Sequence, residues 1–153
     1  MNPQMADDML GIREDSSLND QPNLLHSLNQ TRLYNGVSSI LIADEDPGVL
    51  AQLSYSFALC AKHYNVYTTQ TGKAAAQVLK TCTVNILLTA LNVPVMRNFE
   101  LIYYTKYYYP DTKIFAMSEK EPREVQNILD DSKVNGYIRK PLSIELIYST
   151  LRI

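Results

Sequence analysis

The sequence predicts a doubly wound α/β fold: a five-stranded parallel sheet with helices on both faces, joined to an amino-terminal arm. Three observations predict it. From Ser38 onward, short apolar runs alternate with stretches of helical period five times over. Those runs are apolar at nearly every position, as strands buried on both faces of a parallel sheet must be. The first 36 residues break the pattern: five acids (Asp7, Asp8, Glu14, Asp15, Asp20) stand against two arginines (Arg13, Arg32), amid many Asn, Gln and Ser and few β-branched residues. Such a composition reads as a flexible arm.

Each element follows in order. The arm is assigned residues 1–37 and the folded domain residues 38–153. Within the arm, Asp20 is placed to cap a short helix over 22–34, on which Leu24, Leu25 and Leu28 share a face. The run Ser39-Ile40-Leu41-Ile42-Ala43 is a buried strand, and Asp46-Pro47 reads as an N-cap followed by a first-turn proline. Leu50, Leu53 and Phe57 repeat along the helix that this cap opens. A second strand is expected near 65–68, an alanine-rich helix from Gly72 to Lys80, and a third strand from Val84 to Ala90. After a loop holding Pro94, a helix runs around 99–108, and Thr112 to Met117 is the fourth strand. Pro122 to Asp131 forms a helix, Gly136 to Arg139 the fifth strand, and Ser143 caps a last short helix ending at Leu151.

Composition narrows the function. The net charge is −2 over the whole chain, but +1 over the last 117 residues, so the acidity belongs to the arm. Neither figure provides the electrostatic attraction that binding to phosphate backbones or anionic lipid needs, so no direct nucleic-acid or membrane partner is expected. The amino terminus lacks the pattern of a secretory signal and no apolar stretch nears the roughly 20 residues of a membrane span, so a cytoplasmic location is expected. Cys60 and Cys82 fall in no metal-ligand spacing and read as small buried hydrophobes. His26 and His63 are isolated and are assigned no ligand role.

In doubly wound sheets chemistry collects at the carboxyl ends of the strands. Here the first strand ends in Asp44-Glu45-Asp46, the fourth at Ser118 and the fifth at Lys140-Pro141. An acidic cluster, a hydroxyl and a lysine at neighbouring strand ends outline a magnesium and phosphate site. At this point residues 38–153 resemble the receiver domain of bacterial response regulators, a flavodoxin-like fold. The resemblance rests on Ile40 to Pro47, Leu87 to Met96, Glu100-Leu101, Ala116-Met117-Ser118 and Tyr137 to Pro141, in that order and spacing.

The resemblance implies roles residue by residue. Asp44 and Glu45 match the acidic pair, Asn92 a backbone carbonyl ligand of the metal, Ser118 the phosphoryl-sensing hydroxyl and Lys140 the phosphoryl-binding cation. Ser118 and Tyr137 match the hydroxyl and aromatic that move together on activation. The aspartate that accepts phosphate in the family falls at Ala90, where a methyl group neither attacks phosphorus nor holds metal. The usual Asp-Gly after the loop methionine is Arg97-Asn98, and a common glycine before the fifth strand is Lys133. The implied protein is a degenerate pseudo-receiver: not an enzyme, without cofactor, signalling by phosphorylation-independent contact with protein partners in a bacterial pathway.

Other readings stay open beside this one. Asp46 caps a helix in any case, and Lys140 is expected to pair with Asp44 or Glu45. An alternative phosphoacceptor among Ser118, Thr89 and Asp46 would need an activating base within hydrogen-bond reach, and Thr89 should point away from Ala90 into the core. A regulator that associates with a separate DNA-binding protein is a further alternative, since no DNA-reading domain is expected within the chain. Two surfaces are candidate interfaces. One is the face of the fourth helix, fifth strand and fifth helix, with Tyr137, Arg139, Ile144 and Tyr148, which would also serve a homodimer. The other is the tyrosine-rich helix around Tyr104 and Tyr108, where at least two rings should be exposed or half-exposed.

Overall fold

Ile40, Leu41, Ile42 and Ala43 have no solvent exposure at all, and the sheet is built around them. The computed structural model describes residues 37–60, 62–91 and 100–153. In chain order the elements are β1 (Ser38–Ala43), α1 (Pro47–Ala58), β2 (Tyr64–Thr69), α2 (Gly72–Thr81), β3 (Ile86–Ala90), α3 (Glu100–Tyr108), β4 (Lys113–Ser118), α4 (Pro122–Ser132), β5 (Gly136–Arg139) and α5 (Ile144–Leu151). The strands pair in parallel in the order β2-β1-β3-β4-β5. The arm and its expected helix over 22–34 lie outside the described residues, as do residues 92–99, Asn92 and Arg97 among them.

Successive side chains of a strand point to opposite faces, and the core divides accordingly. Ile40, Ile42, Leu88, Phe115, Met117 and Ile138 pack on one face with Leu50, Leu53 and Phe57 of α1 and with Ile147 and Leu151 of α5. Leu41, Ala43, Leu87, Ile114 and Ala116 pack on the other, against Ala76 and Leu79 of α2, Leu101 and Tyr104 of α3 and Val125 of α4. The strands are apolar throughout because both faces are covered.

Helix starts are fixed by caps. Asp46 accepts a hydrogen bond from the Gly48 amide at 2.8 Å, Thr71 from Ala74 at 3.1 Å and Ser143 from Leu146 at 3.1 Å. At α4 the Glu124 carboxylate accepts from the Glu121 amide at 2.7 Å, beside a proline in the first turn. Lys133 ends α4 with φ 49°, in the left-handed region, where glycine is the residue with no steric penalty.

Two expectations are corrected. The third strand starts at Ile86 rather than Val84. The Val84 carbonyl instead accepts from the Thr112 hydroxyl at 2.8 Å, and the Asn85 side chain accepts from the Ser39 amide at 2.7 Å, which ties the strand starts together. Tyr104, expected at an interface, is 2% exposed and belongs to the core. The buried face of α3 is Leu101, Ile102, Tyr104 and Thr105, and Tyr108 and Tyr109 pack half-buried against it. Of that tyrosine run, Tyr107 is the exposed ring.

Candidate functional site

Four strands deliver their ends to one cleft of about 260 Å³, lined among others by Asp44, Glu45, Ala90, Ser118, Lys120 and Lys140. Asp44 follows β1 directly and is completely buried. Its amide donates to the Thr69 carbonyl at 3.1 Å, which anchors it to β2. One carboxylate oxygen accepts from the Asp46 amide at 3.0 Å. The other takes the Lys140 ammonium at 2.6 Å, with the lysine side chain 17% exposed. A buried carboxylate is tolerable only when paired and hydrogen-bonded, and both conditions are met.

Lys140 follows β5, and its amide donates to the Ser118 carbonyl at 2.8 Å. β1 and β5 are separated in the sheet by β3 and β4, so the ion pair closes over the end of β3, where Ala90 presents only a methyl group. Glu45 is exposed at the rim, and its carbonyl accepts from Gln70 at 3.3 Å. Ser118, at the end of β4, accepts from the Lys120 amide at 3.2 Å. Tyr137 on β5 donates its phenol to the carbonyls of Lys120 at 2.5 Å and Ser118 at 3.3 Å. Burial pushes that phenol above its ordinary pKa, with Ser118 and Arg139 acting in the opposite sense.

The magnesium that such an outline suggests does not fit these donors. Asp44 has both oxygens engaged, Ala90 supplies no oxygen from its side chain, and no group of three or more potential ligands that could hold a metal occurs among the described residues. Of the three alternative nucleophiles, Ser118 lines the cleft and the other two are engaged elsewhere. Thr89 is 1% exposed and donates to the Ala90 carbonyl at 3.0 Å, while Asp46 caps α1.

At the neighbouring edge, Arg139 pairs with Glu121 at 2.7 Å, the two side chains being 49% and 41% exposed. Ile144 is half-buried. Tyr148 corrects the expected interface: its hydroxyl donates to the Ser56 carbonyl of α1, and its ring packs on the core beneath that helix. It joins α5 to α1 rather than facing outward from β5. Sequence reasoning missed this tie, and it missed Glu121 as the partner of Arg139. The second had a signal in Glu121-Pro122 with Glu124 three residues on, a helix start that fixes a carboxylate at the edge.

The sequence model of the response regulator receiver domain matches residues 40–152. A probable cyclic di-GMP phosphodiesterase of Vibrio cholerae is 29% identical over 115 residues, which cover 72% of this chain and 25% of that protein. The chain thus spans about a quarter of the length of that curated relative. Among solved structures, the signal receiver domain of an HD domain-containing protein from Pseudomonas fluorescens matches with TM-score 0.69 and 19% identity over 76% of this chain and 85% of that one. The chemotaxis response regulator CheY4 of Vibrio cholerae matches with TM-score 0.69 and 21% identity over 76% and 97%. At these identities the structural likeness is one of fold.

Proposed function

This chain belongs to the response regulator receiver domain family, and on that footing we propose that it serves signal transduction in the cytoplasm as a pseudo-receiver, read by a protein partner without being phosphorylated. One observation carries the reading: over the end of β3, where Ala90 stands, the lysine of the cleft is already neutralised by Asp44 at 2.6 Å. Phosphoryl transfer to a receiver needs a carboxylate oxygen to attack phosphorus and free cationic charge to stabilise the transferred group. At the end of β3 neither stands ready, since residue 90 is a methyl group and Lys140 is held by Asp44. What remains is a folded surface, and Tyr137, Arg139 and Ile144 along β5 and the start of α5 are the groups proposed to meet the partner.

Incubation with acetyl phosphate and magnesium tests the reading. The intact mass is expected to stay unchanged, and beryllofluoride is expected to leave the amide spectrum unchanged as well. A labile phosphoryl adduct on any residue overturns the proposal.

A further inference from the structure

The sheet ends at β2 on one side and at β5 on the other, and the two edges are unlike. β5 is four residues long and carries Arg139 paired with Glu121, the short, charged kind of edge that discourages further pairing. β2 spans six residues, Tyr64–Thr69, with no charge, proline or glycine among them, and among the described residues no strand pairs with its outer side. The Thr69 carbonyl takes the Asp44 amide at 3.1 Å, so Asn65, Tyr67 and Thr69 turn their backbone groups toward β1. Tyr64, Val66 and Thr68 therefore turn theirs outward, as an open template for another strand. The helix above this edge has a matching flank. α1 lies over β2, since Phe57 packs edge-on against the Tyr64 ring at 5.7 Å. Gln52 donates to the Leu142 carbonyl at 2.8 Å and the Ser56 carbonyl accepts from Tyr148, so that side of α1 faces α5. At about 3.6 residues per turn, Ala51, Ser54 and Ala58 fall on the opposite flank, above the β2 edge, and Ala51 and Ala58 are exposed there.

We propose that two copies of this chain pair through this edge, β2 against β2 in antiparallel register about a two-fold axis at Val66, with their α1 helices side by side on one face. Residues 64, 66 and 68 of one copy then meet 68, 66 and 64 of the other, and about six backbone hydrogen bonds form between them. Three facts select a second copy as the occupant. In this register Val66 faces its own mate and Tyr64 faces Thr68 on the α1 side of the sheet, aromatic and β-branched pairs that favour antiparallel strands. Lys62 falls opposite Gln70, so like charges stay apart. An extended peptide would fill the edge and leave the small flank of α1 bare, whereas the two-fold brings Ala51, Ser54 and Ala58 up to the same flank of a second helix, where small side chains allow the usual helix separation of about 8 to 10 Å. The seam is shorter than the roughly 20 residues a side of a standard interface, so the dimer is weak and forms with rising concentration.

Sedimentation velocity on the full chain up to millimolar concentration, with amide hydrogen exchange alongside, tests this. A concentration-dependent dimer is expected, and the Val66 and Thr68 amides, which point away from β1, should exchange more slowly as it forms. Thr68→Pro removes an outward donor from each copy and leaves the bonds to β1 in place, so it should raise the dissociation constant at least about 10-fold while β1 and β3 amides stay protected. Ala58→Arg, a change at an exposed helix position, should weaken the dimer comparably by crowding the two α1 helices. A chain that stays monomeric throughout overturns the proposal, as does a dimer that survives either variant or leaves exchange at Val66 and Thr68 unchanged. A dimer abolished by Arg139→Glu but not by Thr68→Pro belongs to the face of α4, β5 and α5 and also overturns it.

Discussion

Asp44 makes the cleft depend on one lysine. With the carboxylate wholly buried, Lys140→Ala leaves a charge without its counter-ion, and removal of one partner from a buried pair costs about 3 to 5 kcal/mol. Urea unfolding should report that loss, and Asp44→Asn added to the same variant should recover part of it by removing the stranded charge. A loss below about 1 kcal/mol would give the pair no more weight than an exposed one. Arg139 provides the internal contrast, because its pair with Glu121 is about half exposed on both sides, so Arg139→Ala should stay within about 1 kcal/mol of the unaltered protein. Residue 90 admits a complementary test. Ala90→Asp adds a carboxylate beside Asp44 and Glu45 and competes for Lys140, and the variant is expected to bind magnesium measurably by calorimetric titration where the unaltered chain does not. Equal binding by the two proteins would mean that residue 90 does not control the cleft.

The elements were legible where a local rule decides the structure, and less so where the choice is tertiary. Asp46-Pro47 and Ser143 announced two helix starts, and the apolar runs announced the strands, because caps and two-sided burial are written into neighbouring residues. Val84 reads as strand by its side chain, but its carbonyl is taken by Thr112, 28 residues away, which no local pattern reveals. The tyrosine helix shows the same limit. Its periodicity says that one face is buried, but that Tyr104 rather than Tyr107 faces inward depends on α2 and α4 being its neighbours. In the cleft the sequence singled out Lys140 and both candidate acids, while the choice of Asp44 over Glu45 follows from the turn after β1, which buries one and exposes the other. The α1–α5 layer has a pH signature of its own. Burial raises the phenols of Tyr64 and Tyr148 above the ordinary value of 10.0, with Cys60 adding to both. A group whose pKa is raised on folding contributes stability that is complete below the unfolded value and is lost as pH rises through the folded one. Unfolding free energy is therefore expected to fall above about pH 10, and the fall should be shallower in Tyr64→Phe, as urea titrations at successive pH values would measure. An unchanged slope would remove Tyr64 from the account.

Across the whole molecule the same ion pair bears on motion as well as stability. Family members of the kind this chain resembles couple an acceptor site to the face of α4, β5 and α5 through the groups matching Ser118 and Tyr137. A ligand shifts such an equilibrium only by its differential affinity for two states, and on the proposed reading no phosphoryl group arrives to supply the difference. The contacts on that path are already closed: Tyr137 holds the carbonyls of Lys120 and Ser118, Lys140 bonds the Ser118 carbonyl through its amide, and its ammonium is held by Asp44. The first three of these bonds join the β4–α4 connection to β5 and the last joins β5 to β1, so a second arrangement of that connection would have to break several at once. One populated state is therefore expected, and relaxation dispersion on the microsecond-to-millisecond timescale should be flat for residues 118–121 and 136–140. Lys140→Ala, which opens the path at its buried end, should introduce exchange at those positions without phosphate being present. Dispersion at Ser118 and Tyr137 in the unaltered protein would show that the face still switches, and a constitutively presented surface could then no longer be the basis of its signalling.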